Sequence, residues 1–149
     1  MSIMDNSSST HGKILIIEDD VDIRNTLKVQ LERAGYHVIE ANDGKEGIEL
    51  MKKKVHLLQV GLIITNTRLP KVDDIETIDY IKANAPYIPI MVVTDYPDAE
   101  LAAECTQFHP QLIFTVHGVE NYLVKPIGKD KLLRKVSAIF SSKQDFTYV

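Results

Sequence analysis

The chain is poor in the features that mark several classes of protein. It carries a single cysteine, Cys105, among 149 residues. That excludes an internal disulfide and fits a reducing compartment, so a cytoplasmic protein is expected. No apolar run is long enough to span a membrane, and the opening MSIMDNSSSTHG lacks the basic start and apolar core of a signal peptide. No membrane partner is expected. Positive charge does not gather either: 17 Lys and Arg stand against 21 Asp and Glu, for a formal net charge of −4. The basic residues are scattered, as at Lys52 to Lys54, Lys129, Lys131, Arg134 and Lys135, so direct binding of nucleic acid is not expected. Asn6-Ser7-Ser8 matches a glycosylation sequon, which in a chain without an export signal reads as coincidence.

What is present is 44% hydrophobic residues over a length that suits one domain with one sizeable core. The expected organisation is a flexible polar tail over residues 1–12, a domain over 13–141 and a short tail over 142–149. Within the domain, apolar runs of strand length alternate with segments of helical period, the pattern of βα units around a parallel sheet. KILII (Lys13 to Ile17) is apolar almost without interruption, which implies a strand covered on both faces. From Asp22, which can serve near a helix N-terminus, Ile23, Leu27, Leu31 and Ala34 fall at helical spacing and Gly35 fits the stop. HVIEA (His37 to Ala41) is a second strand, Gly44 to Lys53 a second helix, and Leu62 to Thr65 lie in a third strand. Asp73 or Asp74 caps a third helix to about Ala83, followed by a strand over Ile90 to Val93. A helix from Pro97 to about Phe108, a strand over Tyr122 to Val124 and an amphipathic helix over Lys131 to Phe140 complete five βα units.

In an open α/β sheet, ligands sit outside the carboxyl ends of the strands, so the residues that end strands are those to read for chemistry. Strand one ends in Glu18 and Asp19, strand three in Asn66, strand four in Thr94 and strand five in Lys125-Pro126. Two adjacent carboxylates suit a hard divalent ion such as Mg²⁺. A hydroxyl and an ammonium beside them suit the oxygens of a phosphoryl group. Taken alone, the acidic run Glu18-Asp19-Asp20 reads as a solvated loop with a capping role, and it is the four polar strand ends together that favour a site.

KILIIEDD, LIITNTRLP, VVTD and YLVKP together resemble the receiver domain of bacterial response regulators, over Lys13 to Phe140. The resemblance implies a flavodoxin-like α/β fold, (βα)5, with a parallel five-stranded sheet of order 2-1-3-4-5. It also implies a site that takes a phosphoryl group from a sensor histidine kinase or phosphotransfer protein. Residue by residue, Glu18 and Asp19 match the pair that holds Mg²⁺, with Asp19 the direct ligand. Arg68 matches the position whose backbone carbonyl ligates the metal. Thr94 matches the switch hydroxyl, Lys125 the phosphate-pairing lysine and Tyr122 the aromatic that rotates with Thr94. Asn66 stands where the family has its phosphoacceptor aspartate. A neutral amide is a far poorer nucleophile than a carboxylate and cannot form the acyl phosphate, so no phosphorylation at position 66 and weak or absent Mg²⁺ binding are expected.

Asn66 is either natural, in a pseudo-receiver that signals without phosphate, or an engineered replacement of aspartate. Other departures from the family pattern accompany it. Asp74 replaces a glycine, and Asp95 follows the switch threonine where a small residue is usual, as an exposed helix-entrance residue, a charge repelling a phosphoryl donor or a replacement ligand. HPQLIFTVH, His109 to His117, reads as an insertion, either tucked onto the domain's own core or exposed as an edge or partner surface. Its two histidines lack partners at metal spacing and read as loop residues. It falls on the face of fourth helix, fifth strand and fifth helix through which receivers generally signal and through which a homodimer is conceivable.

The expected function is a stand-alone receiver, not an enzyme, acting by contact with a downstream protein of unknown identity. SSKQDFTYV is too short for an output module. A phosphate-independent adaptor is the alternative, and a small acyl-phosphate or haloacid hydrolase a third reading, disfavoured by Asn66 and the lack of a cap domain.

Overall fold

The computed structural model describes residues 12–53, 58–66, 72–94 and 122–147. Its strands are β1 (Lys13–Ile17), β2 (His37–Ala41), β3 (Val60–Asn66), β4 (Ile90–Thr94) and β5 (Tyr122–Val124). They form one parallel sheet of order β2-β1-β3-β4-β5. The helices among the described residues are α1 (Val21–Arg33), α2 (Gly44–Lys52), α3 (Val72–Asn84) and α4 (Lys129–Thr147). Four are therefore seen where five were expected. The helix placed between Pro97 and Phe108 lies outside the described residues, as does the insertion at 109–117 with His109 and His117, and α4 is the helix expected last.

Alternation along the central strands divides the core into two. Leu15 and Ile17 of β1 pack with Ile63, Val92, Met51 of α2 and Ile78 and Ile81 of α3. Ile14 and Ile16 point the other way, to Leu62, Ile64, Met91, Leu27 and Leu31 of α1, and Leu132, Val136 and Phe140 of α4. A strand with a period of two can be apolar throughout only if both faces are covered, and this sheet is covered by α2 and α3 on one side and α1 and α4 on the other.

The helix ends follow from short polar side chains. Asp20, rather than Asp22, is the N-cap of α1, its Oδ1 accepting from the Ile23 N–H at 3.0 Å, while Asp22 lies in the first turn. The α1 C-terminus closes with Gly35 N–H donating to the Glu32 carbonyl and Tyr36 N–H to that of Leu31. Gly35 has φ +99°, the left-handed geometry this turn requires. The Tyr36 ring then stacks on Phe140 of α4, centroids 5.5 Å apart, which docks the last helix against the first. Asp43 caps α2 by accepting from the Glu46 N–H. Two elements outrun their expected bounds. β3 extends from Val60 through Asn66 because its ladder continues from Lys13 on β1 to Val93 on β4. α4 runs to Thr147 instead of stopping at Phe140, since SSKQDF holds neither Gly nor Pro to break it.

α2 and α3 approach closely where Gly44 faces the buried side chain of Thr77, and a methyl group on Gly44 would overlap Thr77 Oγ1. A helical glycine changed to alanine ordinarily gains about 0.5–1 kcal/mol. Here the sign reverses: Gly44→Ala should lower stability by about 1–3 kcal/mol in urea unfolding, and a variant as stable as the parent would contradict this packing.

Candidate functional site

The ladders set Ile17 level with Thr65, Val92 and Tyr122, so the four strand ends fall within two residues of one another. Ile17 is opposite Thr65 in the β1–β3 ladder, Asn66 opposite Val93, and Thr94 opposite Val124. The next residue out on β1 is Glu18, whose N–H donates to the Ala41 carbonyl of β2. The next on β5 is Lys125, joined to Pro126 by a cis peptide.

The side chains converge. Lys125 Nζ lies 2.8 Å from Glu18 Oε1, with the lysine side chain 9% exposed and the glutamate 2%. The same ammonium donates to Asn66 Oδ1 at 3.2 Å, and Asn66 Nδ2 donates to Asp19 Oδ1 at 3.2 Å. Glu18 Oε2 accepts from the Asp20 N–H at 3.1 Å. The contact of Glu18 Oε1 with Lys125 is a close ion pair between two sheltered side chains. Asn66 is buried while Asp19 is exposed, which makes the amide the floor of the cup and Asp19 its rim.

Of the residues singled out from sequence, Glu18, Asp19, Asn66 and Lys125 therefore meet. Thr94 and Tyr122 occupy the last position of β4 and the first of β5, and their side chains are not described. Arg68 and Asp95 lie outside the described residues. Two contributors escaped the sequence reading. Asp20, read as part of an acidic loop with a capping role, does cap α1, and its N–H also donates to Glu18, which no residue letter signalled. Arg24, one turn into α1, donates from Nη1 to the Glu18 carbonyl at 2.8 Å and from Nε to Glu40 of β2 at 3.3 Å. Its sole sequence signal was a cation about one turn past an acidic run.

Receiver domains generally bind Mg²⁺ at an acidic site. The residues here fit a hard cation poorly. Two carboxylates are present, but Glu18 is engaged by Lys125 and the Asp20 N–H. The oxygen of Asn66 is taken by Lys125, and its nitrogen, which cannot ligate, faces Asp19. Among the described residues no cluster of three His, Cys, Asp or Glu side chains could hold a metal.

Burial pushes the Glu18 carboxyl above its usual 4.5, and the Lys125 ammonium and the Asp20 N–H pull it back only in part. The folded protein thus keeps this proton to higher pH than the unfolded chain does. The stability that proton contributes is complete below the unfolded value and is lost as pH rises through the raised one. Relative to Glu18→Gln, which cannot titrate there, the parent should lose stability as pH rises from below the usual carboxylate value through the raised one. Urea unfolding of both chains in chelator measures this, and a difference that is constant or grows the other way would refute the shift.

No helix among the described residues is long and apolar enough to cross a membrane. The family model for the response regulator receiver domain matches residues 14–137. The transcriptional regulatory protein ZraR of Klebsiella oxytoca is 32% identical over 119 residues, covering 80% of this chain and 24% of that protein. The alkaline phosphatase synthesis transcriptional regulatory protein PhoP of Bacillus subtilis is 32% identical over 127 residues, covering 85% of this chain and 48% of that one. The chain thus spans between about a quarter and a half of the length of these relatives. Among solved structures, a response regulator receiver domain protein from Clostridium thermocellum superposes with TM-score 0.71 at 23% identity, covering 91% of this chain and 98% of the other. The chemotaxis protein CheY4 of Vibrio cholerae does so with TM-score 0.66 at 24% identity, over 86% and 98%. These likenesses show a flavodoxin-like, CheY-like α/β fold with a parallel sheet. Such domains serve two-component signalling, in which they interact with histidine kinases or phosphotransfer proteins, and they are generally not enzymes. This chain belongs to the response regulator receiver domain family.

Proposed function

We propose that this chain is a (βα)5 receiver whose phosphoacceptor position is held by Asn66, so that it passes its signal by protein contact without being phosphorylated there. The observation that carries the reading is the place of the amide. It lies on the floor of the cup, between the acidic rim of β1 and the lysine of β5, within 3.2 Å of both Asp19 and Lys125. In a competent receiver a carboxylate oxygen at that point attacks phosphorus, the bond to the donor's leaving group breaks, and the acyl phosphate pairs with a lysine. An amide oxygen carries no charge to spend on that attack.

In this reading Glu18 and Asp19 form the acidic pair and Lys125 is the phosphate-pairing cation. Thr94 and Tyr122 are the switch pair, and the Arg68 carbonyl is a ligand position. Mg²⁺ binds more weakly than it would to a cup with three carboxylates. The output is carried by a downstream protein that meets the face of β5, α4 and the helix expected from sequence between Pro97 and Phe108, a face that also suits a homodimer.

A second reading, a natural phosphate-independent adaptor, draws on one specific feature. Lys125 donates to Asn66 Oδ1 and Asn66 Nδ2 to Asp19 Oδ1, so the amide at position 66 is bound at both ends by its neighbours. The two readings part on one substitution. With Mg²⁺ and acetyl phosphate, the chain as it stands should gain no mass, whereas Asn66→Asp should gain one phosphoryl group in intact mass at low temperature. Phosphoryl uptake by the Asn66 chain that maps to position 66 would refute the proposal. Failure of Asn66→Asp to take up phosphoryl would replace the blocked receiver by the phosphate-independent adaptor.

A further inference from the structure

Outside the cup, one charged cluster reaches into it. Arg24 projects from the first turns of α1 and its side chain is 12% exposed, unusually sheltered for a cation. Its fork is split between two elements. Nη1 donates to the main-chain carbonyl of Glu18 at 2.8 Å, and Nε to Oε1 of Glu40 on β2 at 3.3 Å. Glu40 Oε2 in turn accepts from Lys28 Nζ, one turn further along α1, at 3.0 Å. The Lys28 side chain is 36% exposed and its pair with Glu40 is a surface contact of small energy.

The Glu18 carbonyl sits at a critical point of the chain. β1 has ended, α1 has not begun, and the peptide that carries this carbonyl also carries the Asp19 N–H. Rotation about that peptide swings Asp19 away from Asn66 and moves the Asp20 N–H off Glu18 Oε2. The ladder to β2 holds the Glu18 N–H, while among the described residues no strand partner holds its carbonyl and Arg24 is its donor. We propose that Arg24 is the positioning residue of the acidic pair: by tying the Glu18 carbonyl to Glu40 on the edge strand, it fixes the β1–α1 turn and so aims Asp19 at position 66. Glu40 holds the guanidinium in place, and Lys28 adds nothing to the aim.

The side-chain amide of Asn66 is a built-in reporter, because its Nδ2 donates to Asp19. In the ¹⁵N-labelled chain its NH₂ resonances are assigned by their loss in Asn66→Asp. Arg24→Gln, too short to span both acceptors, should displace the Asn66 NH₂ signals and the backbone amide of Asp20. Arg24→Lys, which keeps a charged donor of similar reach, should restore them in part. Lys28→Gln should leave both where they are. Arg24→Gln that lowers the unfolding midpoint yet leaves both signals unmoved would overturn the proposal and reduce Arg24 to a structural ion pair. Should Arg24→Gln fail to fold, Glu40→Gln decides: a smaller displacement in the same direction supports the proposal and none overturns it. A second arm rests on the proposed function. In the Asn66→Asp background, Arg24→Gln should slow phosphoryl uptake from acetyl phosphate at least about tenfold while Lys28→Gln does not, and an unchanged rate counts against Arg24. If Asn66→Asp alone takes up no phosphoryl group, it is the proposed function that fails, and the amide signals still decide the role of Arg24.

Discussion

The contact on which the cup depends is the buried approach of the Lys125 ammonium to Glu18, 2.8 Å apart with both side chains sheltered. A buried ion pair is weak evidence for stability, because withdrawing two charges from water costs about as much as their attraction returns. What it does provide is direction. The ammonium, held by Glu18, donates to Asn66 Oδ1, and so the amide turns its nitrogen to Asp19. An amide has one accepting end and one donating end, and a cation on one side with a carboxylate on the other leaves a single favourable orientation. One lysine therefore orders three residues from β1 and β3.

That lysine can reach Glu18 because the sheet carries their strands to one height. β5 and β1 are not neighbours; β3 and β4 stand between them, and their ladders keep Ile17, Thr65, Val92 and Tyr122 at matching levels. The two core layers prevent slippage, since a shift of one residue would exchange every inward side chain of β1 between the α2–α3 and α1–α4 faces. The turn after β1 is then fixed by short-range polar bonds: Asp20 caps α1 with its carboxylate and steadies Glu18 with its N–H, while Arg24 holds the Glu18 carbonyl. Fold and cup share these residues, so neither can change without the other.

Much of this could be read from the residues before any coordinates. KILII and its successors announced buried parallel strands because their apolarity has no polar alternation, and the polar strand ends pointed to Glu18, Asp19, Asn66 and Lys125 as one group. What was not legible has a physical reason in each case. Asp20 was read with Glu18 and Asp19 as one acidic loop, and Asp22 as the residue near the helix start, because capping depends on where the strand stops, which composition does not settle within a residue or two. Arg24 was passed over because its value lies in a main-chain carbonyl, and a carbonyl has no letter in a sequence. The helical extension through Thr147 was missed because polar SSKQDF shows no apolar stripe, although it lacks any breaker.

With an amide at position 66, the cup holds the carboxylates of Glu18 and Asp19 and the ammonium of Lys125, and Asp19 accepts from Asn66 Nδ2. Titration of Mg²⁺ by calorimetry into the chain as it stands and into Asn66→Asp tests this most directly. The account predicts half-saturation of the Asn66 chain at a Mg²⁺ concentration at least about tenfold higher, because the site offers one anionic ligand fewer. Equal affinity in the two chains would contradict it.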